Sequence, residues 1–219
     1  MSRIKRLLSF LFALPQGKYL DASGNPLYVE LYRGRFRLST QYAVYSYDDL
    51  YDNFYQSFKN MDLSPYSHGE ILILGAGLGS IPYMLEKHFN MQAHYTIVEY
   101  DPNIIALFKK YTLPRLNSDV KIIQADAEEY VENNQALFDM VIIDIFIHDA
   151  IPDQFKSLDF LENCRKSMNQ GATLLFNWMA ITNEQKDECL RYKKETFDKV
   201  FTNSNYHKTP YNKVLQAKL

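Results

Sequence analysis

Cysteine is scarce. Two residues, Cys164 and Cys189, occur in 219, both in segments that read as helices and with no metal-type spacing between them. That excludes a cysteine-built zinc site and a disulfide framework, and leaves two reduced thiols. No charge of one sign dominates either. Lys plus Arg number 24 against 26 Asp plus Glu, with the signs interspersed and a net charge of -2. A general nucleic-acid footprint is therefore missing, and no nucleic-acid partner is expected. Long hydrophobic runs are also lacking, since nothing approaches the roughly 20 apolar residues of a spanning helix. Stable membrane insertion is not expected, and a cytoplasmic location is. Internal repeats and low-complexity tracts are absent.

The N-terminus is the exception. Residues 1–14 read MSRIKRLLSFLFAL, three basic residues followed by a short apolar run. A secretory signal has that outline, but no A-x-A cleavage site follows and Pro15-Gln16-Gly17-Lys18 fits one poorly. The segment reads instead as a docking helix, or as one lying on a membrane surface.

What the chain has in abundance is aromatic side chains, 17 Tyr and 14 Phe, within a 47% apolar and 23% charged composition. These suit a thick core, and aromatic surface for a partner or a flat ligand. The length allows one α/β domain with a small addition, but hardly two full domains.

Residues 27–38, LYVELYRGRFRL, alternate on either side of Arg33-Gly34 and predict a β-hairpin. The row Arg33, Arg35 and Arg37 reads as its solvated face. Leu50, Phe54, Phe58 and Met61 predict a helix over 47–61. Residues 64–69, SPYSHG, then break the pattern, and the reading divides the chain into an N-terminal helix, hairpin and helix over 1–68 and an α/β domain over 69–219. From there strands are expected at 71–74, 95–98, 120–123, 138–143 and 172–178. Helices are expected at 81–89, 102–111, 127–133, 154–168 and 184–200, with a turn at 169–171 and a final edge strand at 211–217. Short apolar strands alternating with amphipathic helices imply an α/β, doubly wound, mostly parallel sheet.

Open parallel sheets bind ligands beyond the carboxyl ends of their strands. After the first strand stands Gly75-Ala76-Gly77-Leu78-Gly79-Ser80. Its spacing is G-x-G-x-G, with Ser80 where a dinucleotide site wants a third glycine, and no Lys follows in the P-loop position. A nucleoside triphosphate is thereby disfavoured, and a nicotinamide oxidoreductase weakened. After the second strand Glu99 is placed to accept from ribose hydroxyls, whereas Asp101 before Pro102 reads as a helix N-cap. After the third, Asp126 could accept from an exocyclic amine, cap the following helix, or do both, and the small Ala127 leaves room for a flat ring. After the fourth, Asp144 ends the apolar Val141-Ile142-Ile143, an unusual place for a mere solvated charge.

The segments GAGLGS at 75–80, VEYDP at 98–102, ADAEEYV at 125–131 and FDMVIIDIF at 138–146 resemble the S-adenosylmethionine-dependent methyltransferase fold, and most of all its spermidine-synthase branch. The resemblance spans about residues 70–178 and implies a Rossmann-like, seven-stranded sheet with the N-terminal hairpin and helix as an appendage. It implies that Gly75, Gly77 and Gly79 line the methionine end of the ligand, that Glu99 holds the ribose and Asp126 the adenine amine, and that Asp144 is the catalytic carboxylate. It also implies a homodimer. Two departures stand out. Leu78 occupies the place of an Asp in the glycine motif, and Ile147 that of a second Asp in the fourth. A polycation needs several carboxylates to replace its water. His148 and Asp149 lie just beyond, as a general base with its orienting partner or as a polar loop pair.

Three readings follow. The lead is a methyltransferase using S-adenosylmethionine on a small-molecule or protein acceptor. The alternative is a polyamine aminopropyltransferase using decarboxylated S-adenosylmethionine, and the third is a binding or dimerisation module without chemistry.

Overall fold

Alternation in Pro26–Tyr32 (β2) sends Leu27, Val29 and Leu31 into the core, where all three are buried. A computed structural model describes residues 3–41, 43–147 and 150–219 of the chain. In it β2 pairs antiparallel with Arg35–Ser39 (β3) through Arg33 and Gly34, whose φ values of 52° and 74° suit a tight two-residue hairpin turn. Two further strands, Leu14–Leu20 (β1) and Val44–Ser46 (β4), complete a four-stranded antiparallel sheet in the order β1-β2-β3-β4. Neither is apparent from sequence pattern. Proline, glycine and a register shift between Pro15 and Gly17 hide the first, and three residues are too few to show the second. A short helix, Arg3–Leu8 (α1), precedes them.

The arginine row is not a free solvated face. Arg35 makes two bonds to the Asp49 carboxylate, at 2.6 and 2.9 Å, and Arg37 binds Glu30 at 2.6 Å while lying over the Tyr32 ring. The helix expected over 47–61 is interrupted as well. A 3-10 turn, Asp48–Leu50, leads into Tyr51 (ψ 85°), and only Asp52–Lys59 (α2) is α-helical. Asp48 causes the break. Its φ is 41°, and its buried carboxylate accepts from the Phe36 N–H and pairs with Arg115.

The remainder alternates as expected. Glu70–Leu74 (β5), Ser80–Lys87 (α3), His94–Glu99 (β6), Pro102–Tyr111 (α4), Val120–Gln124 (β7), Ala127–Asn133 (α5), Phe138–Ile143 (β8), Leu158–Lys166 (α6) and Met168–Met179 (β9) follow one another. Strands β5 to β9 run parallel. Asn183–Tyr192 (α7) continues through a π-helical segment, Lys193–Phe197, into Asp198–Val200 (α8), so the helix expected over 184–200 runs its full length with a local widening. The helix expected over 154–168 is split, because the Ser157 hydroxyl accepts from the Phe160 N–H and starts α6 anew. The turn expected at 169–171 lies inside β9, where the register against β8 shifts and Gly171 adopts φ 83°.

Ser204–Lys208 (β10) and Asn212–Lys218 (β11) close a seven-stranded sheet in the order β10-β11-β9-β8-β5-β6-β7. The last strand of the chain is therefore interior, and the polar β10 is the edge. Period-2 alternation decides the two faces. Ile71, Ile73, Tyr95, Ile97, Met140 and Ile142 pack with α2, α3, α4 and the N-terminal sheet, so Leu27, Val29, Phe54 and Phe58 share one cluster with the core strands. Leu72, Leu74, Val98, Val141, Ile143 and Phe176 pack beneath α5, α6 and α7. Cys164 and Cys189 are buried there unpaired, and burial raises both thiols above their ordinary range. Among the described residues, no helix is long and apolar enough to cross a membrane.

Candidate functional site

Strand order reverses at β5, which lies between β6 and β8, so the chain leaves these strands in opposite directions and opens a crevice at their carboxyl ends. The Gly75 N–H donates to the Val98 carbonyl and the Asp144 N–H to the Leu74 carbonyl, both at 2.9 Å, which sets the two post-strand loops side by side. Gly75 has φ 97°, and a Cβ there would overlap the Asp144 carbonyl oxygen. Gly77 has φ 48°, and a Cβ would stand 3.2 Å from the Tyr45 carbonyl oxygen. Both positions therefore require glycine.

A cavity of about 980 Å³ opens above these loops, and Gly75, Gly77, Glu99, Asp126, Ala127 and Asp144 all line it. Gly79 does not. It is the left-handed N-cap of α3, and a Cβ there would run into the Phe108 ring, so its task is to seat α3 against α4. Leu78, in place of an acidic residue, is buried, and its carbonyl accepts from the Thr112 hydroxyl.

Glu99 braces the glycine loop as well as facing the cavity. One carboxylate oxygen accepts from the Ala76 N–H at 2.9 Å and the other from the Asp101 N–H at 3.0 Å, while burial raises its pKa. Asp101 caps α4 and also accepts from the Ala22 N–H at 2.8 Å, tying the β1–β2 turn to the site. Asp126 caps α5 through one oxygen, and its other oxygen meets the Gln154 amide at 3.4 Å, so capping and cavity lining coexist.

Asp144 is held by side-chain donors from two distant segments. Its Oδ1 accepts from Asn177 Nδ2 at 2.9 Å and from the Tyr51 hydroxyl at 3.3 Å. Asn212 Nδ2 in turn donates to Asn177 Oδ1 at 2.9 Å. Burial pushes the Asp144 carboxyl up to about 6, against the opposing pull of the two donors. Tyr51, Asn177 and Asn212 escaped the sequence reading. Asn177 had a signal, a lone amide inside the apolar Leu174–Trp178 run, whereas Tyr51 and Asn212 come from distant segments with none. Ile147 lines the cavity as an apolar residue, and His148 and Asp149 lie outside the described residues.

The charge around the cavity is one-sided. Asp21, Asp52, Glu99, Asp101, Asp126 and Asp144 line it, and among the described residues no Lys, Arg or His does. Such a site attracts cations and offers a carboxylate ligand no salt-bridge partner.

Comparison with known proteins agrees with this architecture. Curated relatives include polyamine aminopropyltransferases from Vibrio vulnificus, 24% identical over 56% of this chain and 42% of that protein, and from Thermoplasma acidophilum, 30% identical over 52% and 42%. The alignments thus span about two fifths of the length of these relatives. Among solved structures, a probable spermidine synthase from Corynebacterium glutamicum superposes with TM-score 0.70 at 18% identity, over 92% of this chain and 79% of that one. Human methyltransferase-like protein 13 in complex with SAH superposes with TM-score 0.58 at 19% identity, over 73% and 76%. These likenesses bear out the Rossmann-like methyltransferase fold. The family described as spermine/spermidine synthase domain matches residues 58–213, well beyond the motifs at 75–146, and the chain belongs to that family.

Proposed function

We propose that this chain transfers an aminopropyl group from decarboxylated S-adenosylmethionine to an amine acceptor. The observation that carries the reading is the cavity with six carboxylates and no basic side chain among the described residues. Decarboxylated S-adenosylmethionine is a sulfonium with an ammonium tail and no carboxylate, so its charge complements that wall. S-Adenosylmethionine brings a carboxylate that finds no cationic partner among the described lining residues and is repelled by the six carboxylates. The names of the curated relatives point the same way, so the methyltransferase reading gives place to its alternative.

The residues present fit such a donor. Gly75 and Gly77 let the loop backbone itself form the cavity wall in a conformation a side chain would strain, Glu99 and Asp126 offer acceptors for ribose and adenine, and the small Ala127 leaves room for a flat ring. The donor supplies a propyl carbon activated by the sulfonium. Asp144, held by Asn177 and Tyr51, takes the proton that the acceptor nitrogen sheds as its lone pair forms the N–C bond and the C–S electron pair departs on sulfur. The pKa of about 6 leaves this carboxylate ionised at neutral pH yet more basic than an ordinary Asp.

Calorimetric titration with the two nucleosides tests the proposal, followed by turnover with a short diamine. Tighter binding of the decarboxylated form and release of methylthioadenosine are expected. Preference for S-adenosylmethionine would return the chain to methyl transfer. Binding of neither would leave the fold without this chemistry.

A further inference from the structure

The proposed chemistry makes no use of the N-terminal segment, which has an unusual surface. Helical hydrogen bonds run past α1: Ser9 N donates to the Lys5 carbonyl, and Leu11 and Phe12 N–H both donate to Leu8. Ile4, Leu7, Leu8 and Leu11 therefore fall on one face at i, i+3, i+4 and i+7. A helix on a globular protein turns such a stripe inward. Here it faces out, with Ile4, Leu7 and Leu11 69%, 70% and 72% exposed, and Phe12 adds 66% at its end.

The segment is nonetheless fixed to the fold. Ser9 is fully buried, its carbonyl accepts from the Arg33 N–H at 2.8 Å, and its hydroxyl accepts from the Gly34 N–H at 2.9 Å. The apolar stripe is thus mounted on the tip of the β2–β3 hairpin.

Charge decides what covers it. Residues 1–20 contain Arg3, Lys5, Arg6 and Lys18 and no Asp or Glu, while the rest of the chain carries 20 basic against 26 acidic side chains. A two-fold contact with a second copy would bring two such basic segments together, each with Arg3, Lys5 and Arg6, with no carboxylate in either to pair them. An anionic lipid surface accepts both features at once, apolar side chains below the headgroups and basic ones among them. We infer that residues 3–12 dock this protein peripherally on an anionic membrane surface.

Flotation or co-sedimentation of the full chain with vesicles tests this. Vesicles of 30 mol% phosphatidylglycerol in phosphatidylcholine should retain at least tenfold more protein than phosphatidylcholine alone, and 0.5 M salt should reverse most of the gain. The double substitution Leu7→Glu and Leu11→Glu should abolish retention while leaving the thermal midpoint and nucleoside binding of the wild type in place. Arg3→Gln, Lys5→Gln and Arg6→Gln together should reduce it to the neutral-vesicle level. Equal retention on both vesicle types, or none on either, would overturn the inference. So would a stable dimer that Leu7→Glu and Leu11→Glu dissociate, since the stripe would then belong to a second copy.

Discussion

In the chemistry proposed above, Asp144 opposes stability and serves as the base. Its carboxyl is raised from 3.8 to about 6, chiefly by burial. A folded-state pKa raised above the unfolded one favours the protonated form. Its contribution to stability is therefore complete below about pH 4 and is lost as pH rises through about 6. At 1.36 kcal/mol per unit, keeping this group ionised costs on the order of 3 kcal/mol at neutral pH. Asp144→Asn retains an Oδ1 acceptor for Asn177 and Tyr51, so it should be more stable than wild type to urea at pH 8 by up to about 3 kcal/mol, the two curves converging near pH 4. Turnover in the same variant should fall about 10²- to 10⁴-fold for want of the base. Asn177→Ala removes one of the two donors that hold the carboxyl down. The acidic limb of the kcat/KM profile, expected near pH 6 in wild type, should move to higher pH, as rate measurements between pH 5 and 9 will show.

At the scale of elements, the glycine loop divides its work between cavity lining and packing. Gly79→Ala sets a Cβ against Phe108 at φ 83°, yet the position does not line the cavity. It should cost several kcal/mol in denaturant titrations, on the scale of overpacking plus backbone strain, with nucleoside affinity of the folded protein little changed. Gly75→Ala meets the Asp144 backbone itself and should lose nucleoside binding as well. This difference between glycines of one motif was not legible in G-x-G-x-G, because it depends on α4, a distant segment in the sequence. What was legible is what depends on local periodicity, namely the parallel core strands, α4, α5 and the β2–β3 hairpin. Asp101 and Asp126 could be read as caps because a cap is a matter of three or four adjacent residues. Strand β1, the interior position of β11 and the break at Asp48 were not legible, since each is determined by a partner far along the chain. For the same reason Glu99 was found and Tyr51 was not: the first ends its own core strand, and the second reaches Asp144 from a segment 93 residues away.

For the whole molecule the decisive joint is between the N-terminal sheet and the α/β core. Arg115 makes two bonds to the Asp48 carboxylate, at 2.6 and 2.8 Å, donates to the Tyr111 carbonyl at 2.7 Å, and lies 4.2 Å over the Tyr83 ring. Asp48 is only 1% exposed, so the pair is desolvated on its acidic side. Beside it the Ser80 hydroxyl contacts that of Ser46 and accepts from the Tyr47 N–H, each at 2.7 Å. Tyr45, Tyr47, Tyr51 and Asp52 continue from this joint into the cavity wall. The ion pair therefore sits at the base of the turn that leads into this wall. Arg115→Met leaves Asp48 buried without its cation and should cost about 3–5 kcal/mol in urea melts. Adding Asp48→Asn removes the stranded charge and should restore part of that loss, so the double-mutant cycle should show coupling well above additivity. If the joint also positions the wall, the double variant will regain stability without regaining the wild-type KM for donor, because an amide facing methionine cannot reproduce the two-bond clamp on the 48–52 turn. Recovery of both together would confine the pair to stability and leave the cavity wall to be held by Ser80.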